Sequence, residues 1–473
     1  MTELEAKLTQ TIEAMSASHA EAMASLAATI TELTARIEEL SARLNRDSSN
    51  SSKPPSSNAP GVNLKRSPPR KPSGRKPGGQ PGHTGHQRQS LTADEVFDVL
   101  ASQCPCCDAV LDASTVIDEP SSVHQVVELA TGSVVTDYHV RTHLCGCGAK
   151  VRARLPRSVP NTATGPKLQA AVTTLIGKYG LSRVDAQQAI DEFFGVKLSV
   201  GAIHEITERA AAATQAAVDD IGVQLAAAGA KHCDETGWRH RGNRAWVWVV
   251  CSAIGAMFRI DENRSRAAFE RLLPHLQGVI HTDRWRVYDI IEAELRQLCH
   301  AHLRRDIQAL IDLGAATNEL GALLLEQSDR MFHHWHQFVA GETDRPALLA
   351  AMEPVQAQWR ALLTLASTHN HRKARALGKD LLRQWTSLWT FLRQEQVEPT
   401  NNRAERVIRP TVLIRKTNGG TASDAGKAFV ANLQSVLVTA RCQGIDALTW
   451  IEQALAAHLS GEPAPMLLPT PTG

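Results

Sequence analysis

The sequence predicts a multidomain protein of the α+β class, and three observations support this. The chain has 473 residues, which is too long for one hydrophobic core and suggests roughly two to four domains. Residues 46–95 are rich in Ser, Pro, Gly, Lys and Arg, a composition that cannot bury a core and that separates structured regions. Outside this segment, apolar residues recur with helical spacing or form short β-branched and aromatic runs typical of strands.

Basic residues and cysteines are each clustered in one part of the chain, and the two clusters indicate what kind of protein this is. The formal net charge is only +2, but nine basic residues and one acid, Asp47, lie between Arg46 and Arg88. Five of the nine cysteines fall within residues 104–147, which favours a metal site in a reducing compartment over a disulfide framework. No apolar run approaches about 20 residues and no signal peptide is recognisable, so we expect a cytosolic protein without a membrane partner.

Residues 1–45 are expected to form a dimerisation helix. They lack Pro and Gly, and apolar residues spaced alternately by four and three form the seam of a two-stranded coiled coil: Leu26, Ile30, Leu33, Ile37, Leu40 and Leu44. The alternative is an amphipathic helix packed on the protein's own body. The coiled coil is favoured because the segment that follows, residues 46–95, offers no adjacent core.

The basic segment 46–95 is a candidate DNA-binding arm. Around Arg75 and Lys76 it interleaves cations with Pro and Gly, so it can lie along phosphates or in a minor groove, with salt-dependent affinity. A solvated linker is the alternative.

Residues 96–157 predict a zinc ribbon. Two pairs of thiolates separated by about 40 residues suit one tetrahedral Zn²⁺: Cys104, Cys107, Cys145 and Cys147. Cys106 is left over, and His143 is an alternative ligand within the second pair. The intervening segments 123–129 and 134–143 have the pattern of β-hairpin strands. Buried free thiols are the alternative.

Residues 160–215 predict a helix-turn-helix-like DNA-binding module. Three short helices are expected over 167–179, 182–194 and 199–209, the last capped by Ser199. The third would offer the recognition residues, a set that includes Thr207 and Arg209. A plain helical packing module is the alternative.

Residues 225–302 predict an RNase H-like sheet that presents carboxylates at its strand ends. The first strand ends over 232–236, segments 245–251 and 256–260 form a hairpin, a helix covers 266–273, and a short strand over 278–282 runs into Asp283. Asp234 and Asp283 would then meet at one edge of the sheet. Residues 303–397 are expected to be a helical insertion, and residues 398–460 the second part of the catalytic core.

A third carboxylate, Glu405, lies on a predicted helix that starts near Thr400 or Asn401. Asn402, Glu405 and Arg409 are spaced three and four residues apart and share one face, while Arg406, Arg415 and Lys416 add positive charge suited to DNA. The alternative is that Glu405 simply pairs with Arg409 on a solvated surface. After residue 460 the chain is rich in Pro, and residues 461–473 are expected to be a disordered tail.

Together Asp234, Asp283 and Glu405 suggest a two-metal site for phosphoryl transfer. Mg²⁺ is bound through a few carboxylates and the phosphate oxygens of the substrate, and a pair of such ions can act on a phosphodiester. A further hypothesis takes His232 and His281 as transition-metal ligands, because each lies two residues before one of the Asp residues and so on the same strand face.

Several of these segments resemble transposases of the insertion-sequence-66 family of DDE enzymes, and they span nearly the whole chain. The matching segments are the cysteine pairs and residues 45–57, 81–86, 234–238, 299–306, 400–406 and 415–416. The resemblance implies that Asp234, Asp283 and Glu405 bind two catalytic Mg²⁺ ions, with Mn²⁺ as a substitute. It also implies that the ribbon with its single structural Zn²⁺ contacts DNA and that the N-terminal helix is a zipper.

The implied activity is cleavage of the terminal inverted repeats of an insertion sequence to give a 3′-OH, which then attacks target DNA. Such a protein would act as a homodimer or higher oligomer at the bacterial nucleoid, with element-encoded accessory proteins as further partners. The chain departs from the family pattern at Arg284 and Trp285, where Gly and Tyr are usual, and in the one-residue spacing of Cys145 and Cys147. A catalytically inactive, transposase-derived regulatory protein is the alternative, and it predicts DNA binding without metal-dependent cleavage.

Overall fold

The computed structural model describes residues 3–44, 108, 110, 132–139, 142–144, 150–152, 156, 159–160 and 162–469. The predicted zinc ligands Cys104, Cys107, Cys145 and Cys147 lie outside the described residues, as do Arg75 and Lys76 of the basic arm. The chain divides into two units, and the smaller one, 63–135 with 193–195, contains few described residues. The architecture below is that of the larger unit.

The N-terminal segment forms one long helix, α1 (Glu3–Leu44). The seam residues from Leu26 to Leu40 have between 45% and 64% of their surface exposed. The predicted helix is therefore confirmed, and its apolar stripe is exposed with respect to the described part of the chain. Pairing with a second copy stays a prediction.

A small antiparallel hairpin follows, formed by β1 (Thr142–Leu144) and β2 (Lys150–Arg152) with His143 opposite Val151. The second predicted cysteine pair falls between these strands in the sequence. The strand expected over 134–143 was placed too early, because residues 134–139 have no regular structure.

Three helices precede the sheet: α2 (Pro166–Gly177), α3 (Arg183–Phe194) and α4 (Val200–Ala227). Ser199 caps α4 by accepting from the backbone N–H of Ala202, as predicted. The predicted end of this helix at residue 209 is wrong, because the alanine-rich stretch beyond it contains no Pro and keeps one face buried.

The predicted recognition surface of α4 is reduced by the packing of that helix. Thr207 is buried, and Arg209 donates to Oε1 of Gln169 at 2.8 Å. Buried residues of α2 and α4 join one core with those of the C-terminal helices. A DNA-binding role for this region stays a prediction.

A five-stranded mixed sheet forms the centre of the unit, which confirms the predicted α+β class. Its strands and the helix between them are β3 (Ala230–His240), β4 (Asn243–Cys251), β5 (Ala256–Asp261), α5 (Arg266–Leu272), β6 (Val279–Thr282) and β7 (Arg296–Leu298). The strand order is β5-β4-β3-β6-β7. β4 is antiparallel to both β3 and β5, whereas β3, β6 and β7 are parallel to one another.

The region after β7 is helical, as predicted for residues 303–397. It contains α6 (His300–Ile311), α7 (Ala315–Val339), α8 (Arg345–Thr368), α9 (Arg372–Arg383), α10 (Trp385–Leu388) and α11 (Thr390–Arg393). These helices enclose a core of their own around Trp359 and Trp389, which also receives Val279 and Leu298 from the sheet. The core therefore fixes the helical region against the parallel half of the sheet.

Three helices complete the unit: α12 (Asn402–Asn418), α13 (Asp424–Gln443) and α14 (Ala447–Ser460). One face of the sheet packs with α4, α13 and α14, and the other packs with α12 and part of α13. Leu467 and Leu468, in the segment expected to be disordered, are buried in the first of these cores. No helix among the described residues is long and apolar enough to span a bilayer.

His300, at the start of α6, makes the stability of the helical region depend on pH. The ring is fully buried among Trp359, Trp389 and Phe391, and its Nε2 lies 2.9 Å from the carbonyl oxygen of Leu388. Burial lowers the pKa of His300 to about 4, against the opposing effect of that hydrogen bond.

Between about pH 6.5 and 4 the unfolded chain therefore binds a proton that the folded chain excludes, so the free energy of unfolding falls as the pH falls. Between about pH 6.5 and 4, the free energy of unfolding of His300→Gln should therefore fall by about 2–4 kcal/mol less than that of the wild type. This difference follows because one pKa unit corresponds to about 1.4 kcal/mol. Chemical denaturation of both proteins at several pH values measures it, and parallel pH profiles would contradict it.

Candidate active site

The register of the parallel strands brings Asp234 and Asp283 to the same level of the sheet. His232 on β3 is paired with His281 on β6, and each aspartate follows two residues after its histidine. Since side chains two residues apart point to the same face of a strand, Asp234 shares the face of His232, which α12 covers, whereas Asp283 is the first residue after β6. The sequence prediction that these two residues meet is consistent with this register.

Asp234 was expected at the end of its strand, but it lies within β3. β3 continues to His240, turns at Arg241 and Gly242 with positive φ angles of 51° and 77°, and pairs with β4 throughout. The ladder between β3 and β6 instead stops at His232. Asp234 therefore lies where β3 loses its parallel neighbour, and among the described residues that edge of β3 has no strand partner until His240 forms a bridge with Thr421.

Asn401 fastens the start of α12 to the strand that carries Asp234. Its side-chain amide donates to the carbonyl oxygen of Cys233 at 2.7 Å, and its Oδ1 lies 3.1 Å from Nδ1 of His232. Its backbone N–H donates to Sγ of Cys299 at 3.1 Å. The residue is fully buried, so these contacts fix the helix that presents Glu405. Sequence reasoning treated Asn401 only as a cap, and in the structure its side chain caps nothing.

Glu405 lies in the first turn of α12 and is paired with residues of α6. Its Oε1 accepts from Nη2 of Arg305 at 3.0 Å and lies 3.4 Å from Nδ1 of His302. Among the described residues, the ion pairs of Glu405 are with these two side chains and not with Arg409, the partner considered from the sequence. The segment 299–306, in which Cys299 and His302 were expected to be a packed, hydrogen-bonded pair at a helix start rather than half of a metal site, therefore supplies the immediate environment of Glu405.

The carboxylates act on one another electrostatically. Burial raises the pKa of Asp234 well above its usual range, and the charges of Glu235, Asp283 and Glu405 add to the shift. Such mutual repulsion is relieved by a proton or a cation, since opposite charge favours the ionised form. The site is thus a concentration of negative charge at the open edge of β3.

Glu235, which sequence reasoning did not select, is the fourth carboxylate of this group. It points to the opposite face of the sheet, where its side chain accepts from Arg264 at 2.9 Å and from the hydroxyl of Tyr288. Burial and the charge of Asp283 raise the pKa of Glu235 to about 7, although Arg264 and Tyr288 oppose the shift. The only sequence signal for this role is its position directly after Asp234.

His232 and His281 are used for packing. Their rings stack with centroids 3.9 Å apart and an interplanar angle of 14°. Nδ1 of His281 lies 3.0 Å from the carbonyl oxygen of Lys231, and Nε2 of His232 lies 3.5 Å from Glu398. Burial, joined for His232 by the charge of His281, lowers the pKa of His232 to about 2, and burial lowers that of His281 to about 4. Among the described residues no group of three His, Cys, Asp or Glu side chains that could hold a metal ion forms here, and a transition-metal site at this pair stays a hypothesis.

The donor set suits a hard divalent cation, although the side chains are not gathered around one point. Three carboxylates whose charges repel one another offer the oxygen ligands that Mg²⁺ prefers. Among the described residues, however, no three His, Cys, Asp or Glu side chains are close enough together to hold a metal ion as they stand. Glu405, held by Arg305, would have to exchange that ion pair for a ligand role.

Arg284 ties the loop after Asp283 to the helical region. Its guanidinium donates to Asp306 of α6 at 2.8 Å and to Asp380 of α9 at 2.6 Å. We expect Arg284→Ala to lower the free energy of unfolding by about 1–3 kcal/mol, since it removes two charge-assisted hydrogen bonds.

Thermal and chemical denaturation measure this effect. Arg383→Ala is the matched control, because Arg383 binds the same Asp380 but is more exposed, and exposed pairs are worth only about 0–1 kcal/mol. Equal losses in the two variants would show that Arg284 is not a special link.

The predicted DNA contacts divide into exposed and engaged residues. Arg406, Arg409 and Lys416 are exposed on α12, and no carboxylate pairs with them in the described part of the chain. Arg415 is half-buried and donates to the carbonyl oxygen of Gly237. Asn402 lies one residue after the buried Asn401 and is half-buried. α12 therefore presents a positively charged surface beside the carboxylates.

Comparison with known families agrees with this geometry. The model of the Transposase IS66 family matches residues 162–428, a stretch that includes the sheet, the helical region and all of α12. The chain belongs to the IS66 transposase family. Residues 2–89 also match a family of unknown function, DUF6444. The IS66 match contains Asp234, Asp283 and Glu405, whereas the predicted zinc ligands fall outside both matched segments.

Three relatives from Sinorhizobium fredii (strain NBRC 101917 / NGR234) have names that carry no function. The uncharacterized protein y4jD is 26% identical over 46% of this chain and 45% of its own length. The uncharacterized protein y4hP is 24% identical over 63% of this chain and 60% of its own length. The uncharacterized protein y4qI is 26% identical over 47% of this chain and 45% of its own length. This IS66 family chain thus spans about half of the length of the relatives it matches.

Proposed function

We propose that the chain is a DDE-type DNA transposase in which Asp234, Asp283 and Glu405 form the catalytic triad. It would bind the terminal inverted repeats of its insertion sequence, cut each end to give a 3′-OH, and join that end to target DNA. The observation that carries the proposal is the pairing of His232 with His281, because Asp234 and Asp283 each follow two residues after one of this pair on neighbouring strands.

The topology of the sheet supports an RNase H-like catalytic domain. Three antiparallel strands, β5-β4-β3, are extended by two parallel strands, β6 and β7, and helices cover both faces. The parallel crossover from β3 to β6 is what brings two carboxylates from distant segments to one edge. The helical region between β7 and α12 would then be an insertion between the second and third catalytic residues.

The three carboxylates would hold two Mg²⁺ ions, for which Mn²⁺ would substitute. When bound, the ions would supply activation of the attacking oxygen and stabilisation of the leaving oxygen. The residues themselves orient the site: Asn401 holds the helix of Glu405, the backbone N–H of Trp285 donates to Oδ1 of Asp283 at 2.8 Å, and that of Glu235 donates to Oδ1 of Asp234 at 2.9 Å. Arg305 donates to Glu405 and balances its charge.

The other regions would bind DNA and hold it at the carboxylates. Arg406, Arg409, Arg415 and Lys416 would contact phosphates near the carboxylates, while Arg75 and Lys76 would act in the basic arm. The exposed stripe on α1 supports a coiled-coil homodimer, which would hold two transposon ends together. A ribbon with one structural Zn²⁺ would add a DNA contact, and activity would be located at the bacterial nucleoid.

Incubation of the purified full chain with Mg²⁺ and labelled DNA from the ends of the element that encodes it tests the proposal. We expect a nick at the element boundary that leaves a 3′-OH, and joined products when target DNA is added. Specific binding to these ends without any metal-dependent cleavage would favour the second candidate, a catalytically inactive DNA-binding regulator. The ion pair between Glu405 and Arg305 is the observation that favours that candidate.

A further inference from the structure

The hairpin of β3 and β4 carries a group of arginines that no carboxylate neutralises. Arg239 and Arg244 are directly opposite each other in the ladder, and like charges in that position are destabilising. Arg415 approaches the same strand, and burial together with the charge of Arg239 lowers the pKa of Arg415. By contrast, the neighbouring Arg241 is paired with Asp424 and Arg264 with Glu235. In the described part of the chain, these three arginines have no carboxylate partner, so together they form a surface suited to an anion.

An aromatic side chain stands beside this charge on the same face of the hairpin. Trp246 is two residues from Arg244 on β4, so both point to one face with Arg239. The guanidinium groups of Arg244 and Arg264 lie 4.7 Å and 4.9 Å from the Trp246 ring centroid, and Arg264 lies 3.8 Å from that of Trp285. The result is a continuous stack of Arg244, Trp246, Arg264 and Trp285, whose outer member, Arg244, is exposed.

The stack is connected to the candidate active site at its inner end. Arg264 is bound to Glu235, which directly follows Asp234, and the backbone N–H of Trp285 donates to Asp283. Opposite Trp246 in the ladder is Gly237, where Arg415 of α12 reaches the open edge of β3. Arg239, Arg244 and Trp246 thus lie on the opposite face of β3 from Asp234, and Arg415 of α12 contacts the strand between them.

We propose that Arg239, Arg244 and Trp246 bind an unpaired nucleotide of the DNA strand on which the carboxylates act. Its phosphate lies between the two arginines, and its base stacks on Trp246 in the place that the Arg244 guanidinium now holds. Base stacking is stronger than an exposed cation–π contact, so this exchange is favourable. The proposal rests on the proposed function for its substrate, but it concerns binding and not cleavage.

The test is binding of the full chain, in the presence of a chelator, to a blunt DNA duplex and to the same duplex with a short unpaired extension of either polarity. We expect the extended duplex to bind about tenfold more tightly, since one stacked base is worth about this factor. Trp246→Ala should abolish the preference and Trp246→Phe should retain most of it. Arg239→Ala and Arg244→Ala should each lower the slope of log affinity against log salt by about one.

Arg360→Ala is the matched control for Arg244→Ala. Arg360 is also an exposed arginine over a half-buried tryptophan, 4.6 Å from the ring of Trp385, but it lies in the helical region. Its removal should leave both the affinity and the salt slope unchanged. Trp246→Phe and the two arginine variants keep the test valid if Trp246→Ala does not fold.

The outcomes separate this proposal from the proposed function. An unchanged preference in Trp246→Ala, or no preference in the wild-type chain, overturns the nucleotide site even if the wild type cleaves DNA. Loss of the preference in Trp246→Ala supports the site even if no cleavage is ever observed. Equal preference for an unpaired RNA extension would replace DNA as the ligand and overturn the assignment.

Discussion

Asp283→Asn should abolish Mg²⁺-dependent cleavage and strand transfer while leaving the fold intact. The change removes one negative charge from a group in which Asp283 already raises the pKa values of Asp234 and Glu235, so the folded state loses repulsion and no packing. Loss of a metal ligand is expected to lower activity by more than about a hundredfold, since even outer-shell partners of metal ligands contribute about 10–100-fold.

The measurement is the rate of appearance of 3′-OH ends from labelled transposon-end DNA, with thermal unfolding as a check on the fold. Asp344→Asn is the matched control. Asp344 caps α8 in the helical region by accepting from Ala347 at 2.9 Å, and Asn is an equally good cap. It should cleave at the wild-type rate. Strand transfer that survives Asp283→Asn would exclude the proposed triad.

The sequence was sufficient to predict the strands that carry this site, because their signals are local. The hairpin of β4 and β5, helix α5 and the short strand before Asp283 each have a period or a cap that is visible in a few residues. The length of β3 was underestimated, since Gly237 and the charged residues beyond Asp234 do not alternate in hydrophobicity, and pairing with β4 is what extends the strand. The three-residue strand β7 is too short to have a period at all.

The partners of the catalytic candidates could not be predicted, because they come from segments that are distant in the sequence. Arg305 reaches Glu405 from 100 residues earlier in the chain, and Arg284 reaches Asp380 across 96 residues. The sequence instead suggested Arg409 for Glu405, since only neighbours on one helix can be paired by spacing. Long-range contacts of this kind depend on how the helical region packs on the sheet, and one sequence contains no local signal for that.

Asn401 is the clearest case of a residue whose importance comes from tertiary contacts. Asn401→Ala should lower the free energy of unfolding by about 2–4 kcal/mol, since it leaves the carbonyl oxygen of Cys233 and Nδ1 of His232 buried without partners, at about 1–3 kcal/mol for each such group. The backbone contact to Cys299 remains. We therefore expect the chain to fold, with a less firmly held start of α12.

The rate of DNA cleavage by Asn401→Ala should be affected more strongly than its free energy of unfolding, because the amide of Asn401 joins the strand of Asp234 to the helix of Glu405. Cleavage measured well below the unfolding midpoint should fall by about tenfold or more, since a displacement of about 1 Å can cost about a hundredfold in rate. The cleavage rate of Asn401→Asp should be intermediate, because a carboxylate still accepts from His232 but cannot donate to Cys233.

Asn402→Ala is the matched control for stability, since the side chain of Asn402 is half-buried and makes no hydrogen bond within the described residues. Equal unfolding free energies for the two alanine variants would show that the amide contacts do not hold α12 on β3, and Glu405 would then need another anchor.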